Sequence, residues 1–150
     1  MKRELPGGYE LDDDPARIDA AAAHAFLSKH AYWAKGRPRE TVDGLIANAQ
    51  RVVGLYHDGR QVGFSRTFTD GHVLAYVADV YVLPEHRGDG RGTELVRFTV
   101  EEGPYAQLRW LLHTQDAHGF YAKFGFGPPS KRLMERDARP ATEAPGDSAT

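Results

Sequence analysis

No cysteine occurs among the 150 residues, which excludes disulfides, thiolate metal centres and a thiol nucleophile together. An excess of one charge is also lacking: 19 Lys and Arg stand against 21 Asp and Glu, for a formal net charge of -2. A nucleic-acid partner held by bulk positive charge is therefore not expected. No apolar stretch approaches the about 18 residues that a membrane-spanning helix needs. The opening MKRELPGGYELDDDP has two basic residues with no apolar run behind them, so neither a signal peptide nor a membrane partner is expected. A cytoplasmic protein, monomer or homodimer, is the resulting expectation. What is present is ordinary globular composition, 41% hydrophobic and 27% charged, which rules out a wholly disordered chain. The length suits one domain, read here as residues 1–136. The stretch beyond Met134 holds no large apolar residue, and a disordered tail is expected over 137–150.

Tyr9-Glu10-Leu11 alternates weakly, as a first strand would. Asp14 and Pro15 supply a cap and a first-turn residue for a helix over about 15–29, carrying Ile18, Ala22, Ala25 and Phe26 at helical spacing. A second helix over about 38–49 would bury Val42, Leu45, Ile46 and Ala49. From Arg51 the period changes to that of strands. Val52 to Tyr56, Val62 to Thr69 and Val73 to Leu83 are joined by the turn signals Asp58-Gly59 and Asp70-Gly71, which makes an antiparallel meander. A helix over about 93–102, a strand at 108–112, a helix over 116–124 and a last strand at Phe126 and 132–135 complete the reading. The class is α+β, not doubly wound.

The stretch Asp79-Val80-Tyr81-Val82-Leu83-Pro84-Glu85-His86-Arg87-Gly88-Asp89-Gly90-Arg91-Gly92-Thr93 carries the chemistry. A strand feeds a loop with three near-alternate glycines, and a helix starts at once. Such a loop brings backbone amides close to an anion and adds the free N–H groups of a helix start. Arg87 and Arg91 can add charge-assisted contacts to phosphate. The dinucleotide fingerprint GxGxxG fails at Thr93 or Leu95, and the phosphate loop ending Gly-Lys-Ser/Thr is absent. The seven histidines show no metal-ligand spacing, His113 and His118 lying five apart, so no metal is expected.

What remains, Arg-x-x-Gly-x-Gly over Arg87 to Gly92 after Val82-Leu83-Pro84, resembles the pyrophosphate loop of the GNAT superfamily of acyl-CoA-dependent N-acyltransferases. A second segment, Ala117-His118-Gly119-Phe120-Tyr121-Ala122-Lys123-Phe124-Gly125-Phe126, is similar to that superfamily's A-x-x-x-Y-x-x-x-G-F. Order and flanking elements agree over roughly residues 8–135. The resemblance implies the acyl-CoA N-acyltransferase fold, a mixed and mostly antiparallel sheet flanked by helices, in a single small domain. It implies an acetyltransferase moving the acetyl group of acetyl-CoA to a primary amine by direct attack in a ternary complex. A non-catalytic acyl-CoA-binding regulatory module of the same fold is the alternative. An interaction domain with a fortuitous glycine loop is a third reading.

By that resemblance, Val80, Tyr81, Val82 and the loop Arg87, Gly88, Asp89, Gly90, Arg91, Gly92 and Thr93 bind acetyl-CoA, a backbone amide near Val80 stabilises the oxyanion, and Tyr121 protonates the departing thiolate. Thr114 stands where many members carry an Asn that contacts pantetheine, with Asp116 as a substitute. A protonated amine must lose its proton; Asp79 is the first candidate base, ahead of Glu85, His113 and His118. Asp79 reads equally as a strand-edge carboxylate satisfied by backbone or Arg. Tyr32-Trp33 reads as a wall of the pocket for a small-molecule or peptide amine, or as a plug between helices.

Overall fold

The structure is a computed structural model and describes residues 1–140. A six-stranded sheet runs in the order β1-β2-β3-β4-β5-β6, with β1 Lys2–Leu5, β2 Tyr9–Asp12, β3 Arg51–His57, β4 Arg60–Thr69, β5 Leu74–Val82 and β6 Arg109–Leu111. Every pairing is antiparallel except the last, where β6 runs parallel to β5. Helices α1 Ala20–His30 and α2 Arg39–Asn48 cover one face through Ala23, Phe26, Leu27 and Val42, which pack on Val52, Phe64 and Tyr81. Helix α3, Arg91–Val100, covers the other face, where Leu95 and Phe98 meet Leu11, Val53, Leu55, Val62 and Val82. The short α4, His118–Ala122, lies beside α3, bringing Phe120 and Tyr121 against Val77, Val96 and Val100. The α+β architecture and the meander follow the sequence reading. No helix among the described residues is long and apolar enough to cross a membrane.

The sequence reading fails in three places, each for a local reason. The opening is not wholly irregular: β1 forms a hairpin with β2 across Gly7 and Gly8, both at positive φ (83° and 81°). Its Lys2-Arg3-Glu4 hid it, because an edge strand that faces water on one side need not be apolar. The helix expected from Pro15 is broken in two. Asp14 caps only a 3-10 turn, Pro15–Arg17, while Asp19 accepts the Ala22 N–H at 2.9 Å and starts α1 afresh. No strand forms after β6 among the described residues, since Pro128-Pro129 removes two amide donors and leaves Met134 91% exposed. Of the expected tail, residues 137–140 are exposed and without helix or strand, and 141–150 lie outside the described residues.

Arg51 locks α3 onto the sheet. It is buried in β3, donates Nε–H to Asp13 at 3.0 Å, and donates from Nη1 to the carbonyls of Phe98 and Thr99 at 3.0 and 2.8 Å. Those carbonyls sit in the last turn of α3, where a cation is favoured. Replacing Arg51 with Met strands both carbonyls and leaves the Asp13 carboxylate with only the Met1 ammonium, 2.7 Å from Oδ1. The expected loss is about 2–4 kcal/mol in urea denaturation; a change below about 0.5 kcal/mol would show that this clamp contributes nothing.

Candidate active site

Strand β5 changes its backbone parity part-way. Leu74 accepts from Asp70 N–H, and the β4–β5 register is regular as far as Arg66 opposite Ala78. The next matched pair is Phe64 opposite Tyr81, so β5 carries one extra residue against Ser65. That is a bulge. Asp79 lies in it with φ 57°, a left-handed conformation that Asp tolerates better than most residues. Beyond the bulge, Leu83 N–H donates to Val62 O on the β4 side, while Arg87 Nε–H reaches Val82 O at 2.8 Å. Alternation therefore turns the amides of Val80 and Val82 away from β4. On that side β6 no longer pairs, because its register with β5 ends at Tyr76 opposite Leu111. A cleft of about 840 Å³ opens there.

The glycine loop forms one end of the cleft. Gly88, Asp89 and Gly90 take φ of 98°, 52° and 75°, so three consecutive residues are left-handed. Gly90 is the residue preceding α3 and offers no side-chain cap. The amides of Gly92 and Thr93 have no acceptor among the described residues. A Cβ built on Gly88, Gly90 or Gly92 would meet no protein atom, so the space before these amides is open. Free first-turn amides facing open space fit the diphosphate of acetyl-CoA, and the Val80 and Val82 amides turned away from β4 fit an extended amide-bearing arm laid along a strand edge. The two arginines differ. Arg87 is exposed and its terminal nitrogens have no partner among the described residues, whereas the Arg91 guanidinium lies 3.8 Å over the Tyr9 ring and donates to His86 O at 3.3 Å. Arg91 thus lies behind the loop, in a stack that includes His57 on Tyr9 at 4.2 Å and the hydrogen bond between Tyr9 and His86 at 2.8 Å.

The other end is aromatic and charged. Tyr32 and Trp33, in the segment joining α1 to α2, both line the cleft and meet edge-to-face at 5.1 Å. Tyr32 accepts the Gln115 N–H at 2.7 Å, which ties this segment to the wall that bears Thr114 and Asp116. Thr114 lines the cleft and accepts the Ala117 N–H at 3.1 Å. The Trp33 indole donates to Asp79 Oδ1 at 2.9 Å, Arg37 Nη1 reaches both Asp79 oxygens at 3.0–3.1 Å, and Arg66 Nε donates to Oδ2 at 2.9 Å. Asp79 is 6% exposed. Its carboxylate is thus engaged on both oxygens by three side chains.

The remaining sequence candidates fall into place differently. Tyr121 lines the cleft, and burial pushes its phenol up to about 12, helped by Tyr32 and Asp116 nearby. It therefore stays protonated through the neutral range, as a proton donor must. His113 lines the cleft too, but its Nδ1 is hydrogen-bonded to the Tyr76 hydroxyl and its Nε2 to Glu135 at 2.6 Å. Glu85 and His118 are exposed and do not line the cleft. Among the described residues, no three His, Asp or Glu side chains converge as metal ligands. Arg37 and Arg66 were missed by the sequence reading. The available signal was Arg66 itself, a charge inside the apolar strand Val62 to Phe68.

Comparison with known proteins agrees with this geometry. The sequence model of the acetyltransferase (GNAT) domain matches residues 48–128. A Gibberella zeae protein named "Putative acetyltransferase" is 30% identical over 142 residues, covering 79% of each chain. The crystal structure of a GNAT-family "putative acetyltransferase" from Xanthomonas campestris pv. campestris superposes with a TM-score of 0.83 at 38% identity, over 90% of this chain and 96% of that one. A GNAT-family acetyltransferase from Brucella melitensis, solved in complex with acetyl-CoA, gives a TM-score of 0.61 at 25% identity, over 80% of this chain and 83% of that one. With a cleft of this form and these likenesses, the chain belongs to the GNAT acetyltransferase family. It is an acyltransferase enzyme, with acetyl-CoA as donor.

The Asp79 cluster yields a stability prediction. Asp79→Ala leaves two guanidiniums without their carboxylate and puts an alanine at φ 57°. The expected cost is about 3–5 kcal/mol in urea denaturation, with Asp79→Asn losing less because Asn accepts the left-handed conformation. Equal losses for the two would mean that backbone strain plays no part.

Proposed function

We propose that this enzyme transfers the acetyl group of acetyl-CoA to a primary amine by direct attack, both substrates occupying the one cleft. The observation that carries the reading is the bulge at Asp79, which turns the Val80 and Val82 amides into the same space that the glycine loop and Tyr121 border. Acetyl-CoA supplies an acetyl thioester at that point. The amides of Gly92 and Thr93, with the free end of Arg87, hold the diphosphate. The Val80 N–H lies where charge develops on the thioester oxygen. The acceptor nitrogen forms the new N–C bond as the C–S bond breaks, and Tyr121 gives its proton to the leaving sulfur. Thr114 borders the arm of the donor.

Asp79 is read as a positioning residue, because a base needs a free lone pair and both of its oxygens are held by Trp33, Arg37 and Arg66. With His113 engaged on both ring nitrogens, the amine proton passes to water in the open cleft. Tyr32 and Trp33 wall the acceptor side.

The test is release of CoA thiol from acetyl-CoA over a panel of primary amines, read with a thiol reagent; the chain has no cysteine to contribute background. Tight acetyl-CoA binding without thiol release across a broad panel would favour a regulatory module instead. Within the reading, Tyr121→Phe is expected to lower kcat by about 10²-fold with acetyl-CoA affinity within about twofold. Because burial raises the phenol to about 12, wild-type kcat should not fall between about pH 8 and about pH 10, where an ordinary tyrosine starts to ionise. A descending limb there, absent in Tyr121→Phe, would contradict the raised value.

Gly90→Val tests the loop. A β-branched residue at φ 75° is strained, and acetyl-CoA affinity is expected to drop at least about tenfold by calorimetry while the thermal transition moves only a few degrees. Unchanged affinity would remove the diphosphate from this loop.

A further inference from the structure

Two guanidiniums meet one carboxylate beside the acetyl position. Arg37 and Arg66 both bond Asp79, with side chains 19% and 11% exposed against 3% for Asp79. One positive charge at this point therefore has no partner in the group. Each guanidinium has five N–H donors, and the bonds to Asp79 use only Arg37 Nη1 and Arg66 Nε. No nitrogen of either arginine is both buried and unpaired, so the unspent donors keep contact with solvent, and both residues line the cleft.

The other charged groups of the cleft do not cancel this excess at close range. Arg87 and Arg91 belong to the loop end, and Asp116 is exposed on the opposite wall. Glu135 is 58% exposed and is taken up by His113. Position matters as much as charge. Asp79 is the residue before Val80, so the cations bonded to it adjoin the amide assigned to the thioester oxygen. An acceptor that reaches them must carry its anionic group within a few bonds of its reacting nitrogen.

We propose that the acceptor is an amino acid, an amine bearing a carboxylate one or two carbons from its nitrogen, and that Arg37 and Arg66 bind that carboxylate through the N–H groups Asp79 leaves free. Planar guanidinium forks suit a carboxylate geometrically and in charge. Asp79 has a second role here: it holds the forks apart from one another and aimed, at the expense of half their charge. Tyr32 and Trp33 border the same space and give the acceptor's side chain an aromatic wall. This proposal rests on the acetyl-transfer reading for its reaction, but its binding claim can be read separately.

The experiment uses matched triplets: an α-amino acid, its carboxamide and its aminophosphonate analogue, assayed by thiol release. The acid is expected to exceed the amide in kcat/KM by about tenfold or more, the range of a charged hydrogen-bonded contact, with the phosphonate weaker than the acid. Arg66→Gln and, separately, Arg37→Gln should each shrink the acid-to-amide ratio of kcat/KM by about tenfold, a ratio in which any loosening of the Asp79 brace cancels because both acceptors feel it equally. Should either variant fail to fold, calorimetry on the wild type loaded with CoA compares an N-acetylamino acid with its amide, and tighter binding of the acid is the expected result. Amide and acid used or bound equally would overturn the proposal, and a phosphonate preferred over the acid would overturn its commitment to carboxylate. Acetyl-CoA bound with no amine acetylated would refute the transfer reading alone, leaving the binding comparison to decide this one.

Discussion

The site depends on a single residue held in a conformation it does not prefer. Asp79 has φ 57°, which costs an L-residue roughly 1–2 kcal/mol. Hydrogen bonds from Trp33, Arg37 and Arg66 converge on its carboxylate, and bonds involving charged groups contribute about 1.5–3 kcal/mol each. The brace outweighs the strain. In return the extra residue reverses which amides of β5 face β4, so Val80 and Val82 turn to the open side. A regular strand would have spent those two amides on the ladder with β4.

The same cluster separates the two ends of the cleft by chemistry. At one end the cleft presents mainly backbone: left-handed Gly88, Asp89 and Gly90 and the uncapped start of α3. Arg91, which the loop sequence offers as a phosphate ligand, is stacked on Tyr9 behind it. At the other end the cleft presents side chains, with Tyr32, Trp33, Arg37 and Arg66 drawn from two separate parts of the chain. Half-buried Tyr121 borders the same cleft as a phenol that keeps its proton. It keeps that proton because burial, the leading cause of its raised value, disfavours the phenolate.

Local chemistry was legible in the sequence and convergence was not. The loop from Arg87 to Thr93 could be read because a turn followed by a helix start is written in consecutive residues. Tyr121 was singled out by the resemblance of Ala117 to Phe126 to the superfamily's second segment, since its own surroundings read equally as a core aromatic followed by a helix cap at Gly125. The meander was plain from Asp58-Gly59 and Asp70-Gly71. Trp33, Arg37 and Arg66 reach Asp79 from 46, 42 and 13 residues away, and nothing in spacing announces that meeting. The alternative reading of Asp79, a carboxylate satisfied by Arg, was available but could not be ranked without it. β1 was hidden by its charges, and the start of α1 was misplaced because two aspartates cap in series. A strand at 132–135 was over-read from Leu133 and Met134, which turn out to be exposed.

The segment between α1 and α2 is fastened to the cleft by side chains: Tyr32 to the Gln115 amide, and Trp33 and Arg37 to Asp79. Its backbone bonds run to its own neighbours and to α1, as in Gly36 N–H to Ser28 O and Ala34 N–H to Ala31 O, and none of them enters the sheet. Such an attachment is modular. A lineage could replace this stretch wholesale, altering which nitrogen nucleophile is admitted, while the thioester-handling half kept its shape so long as some donor still met Asp79.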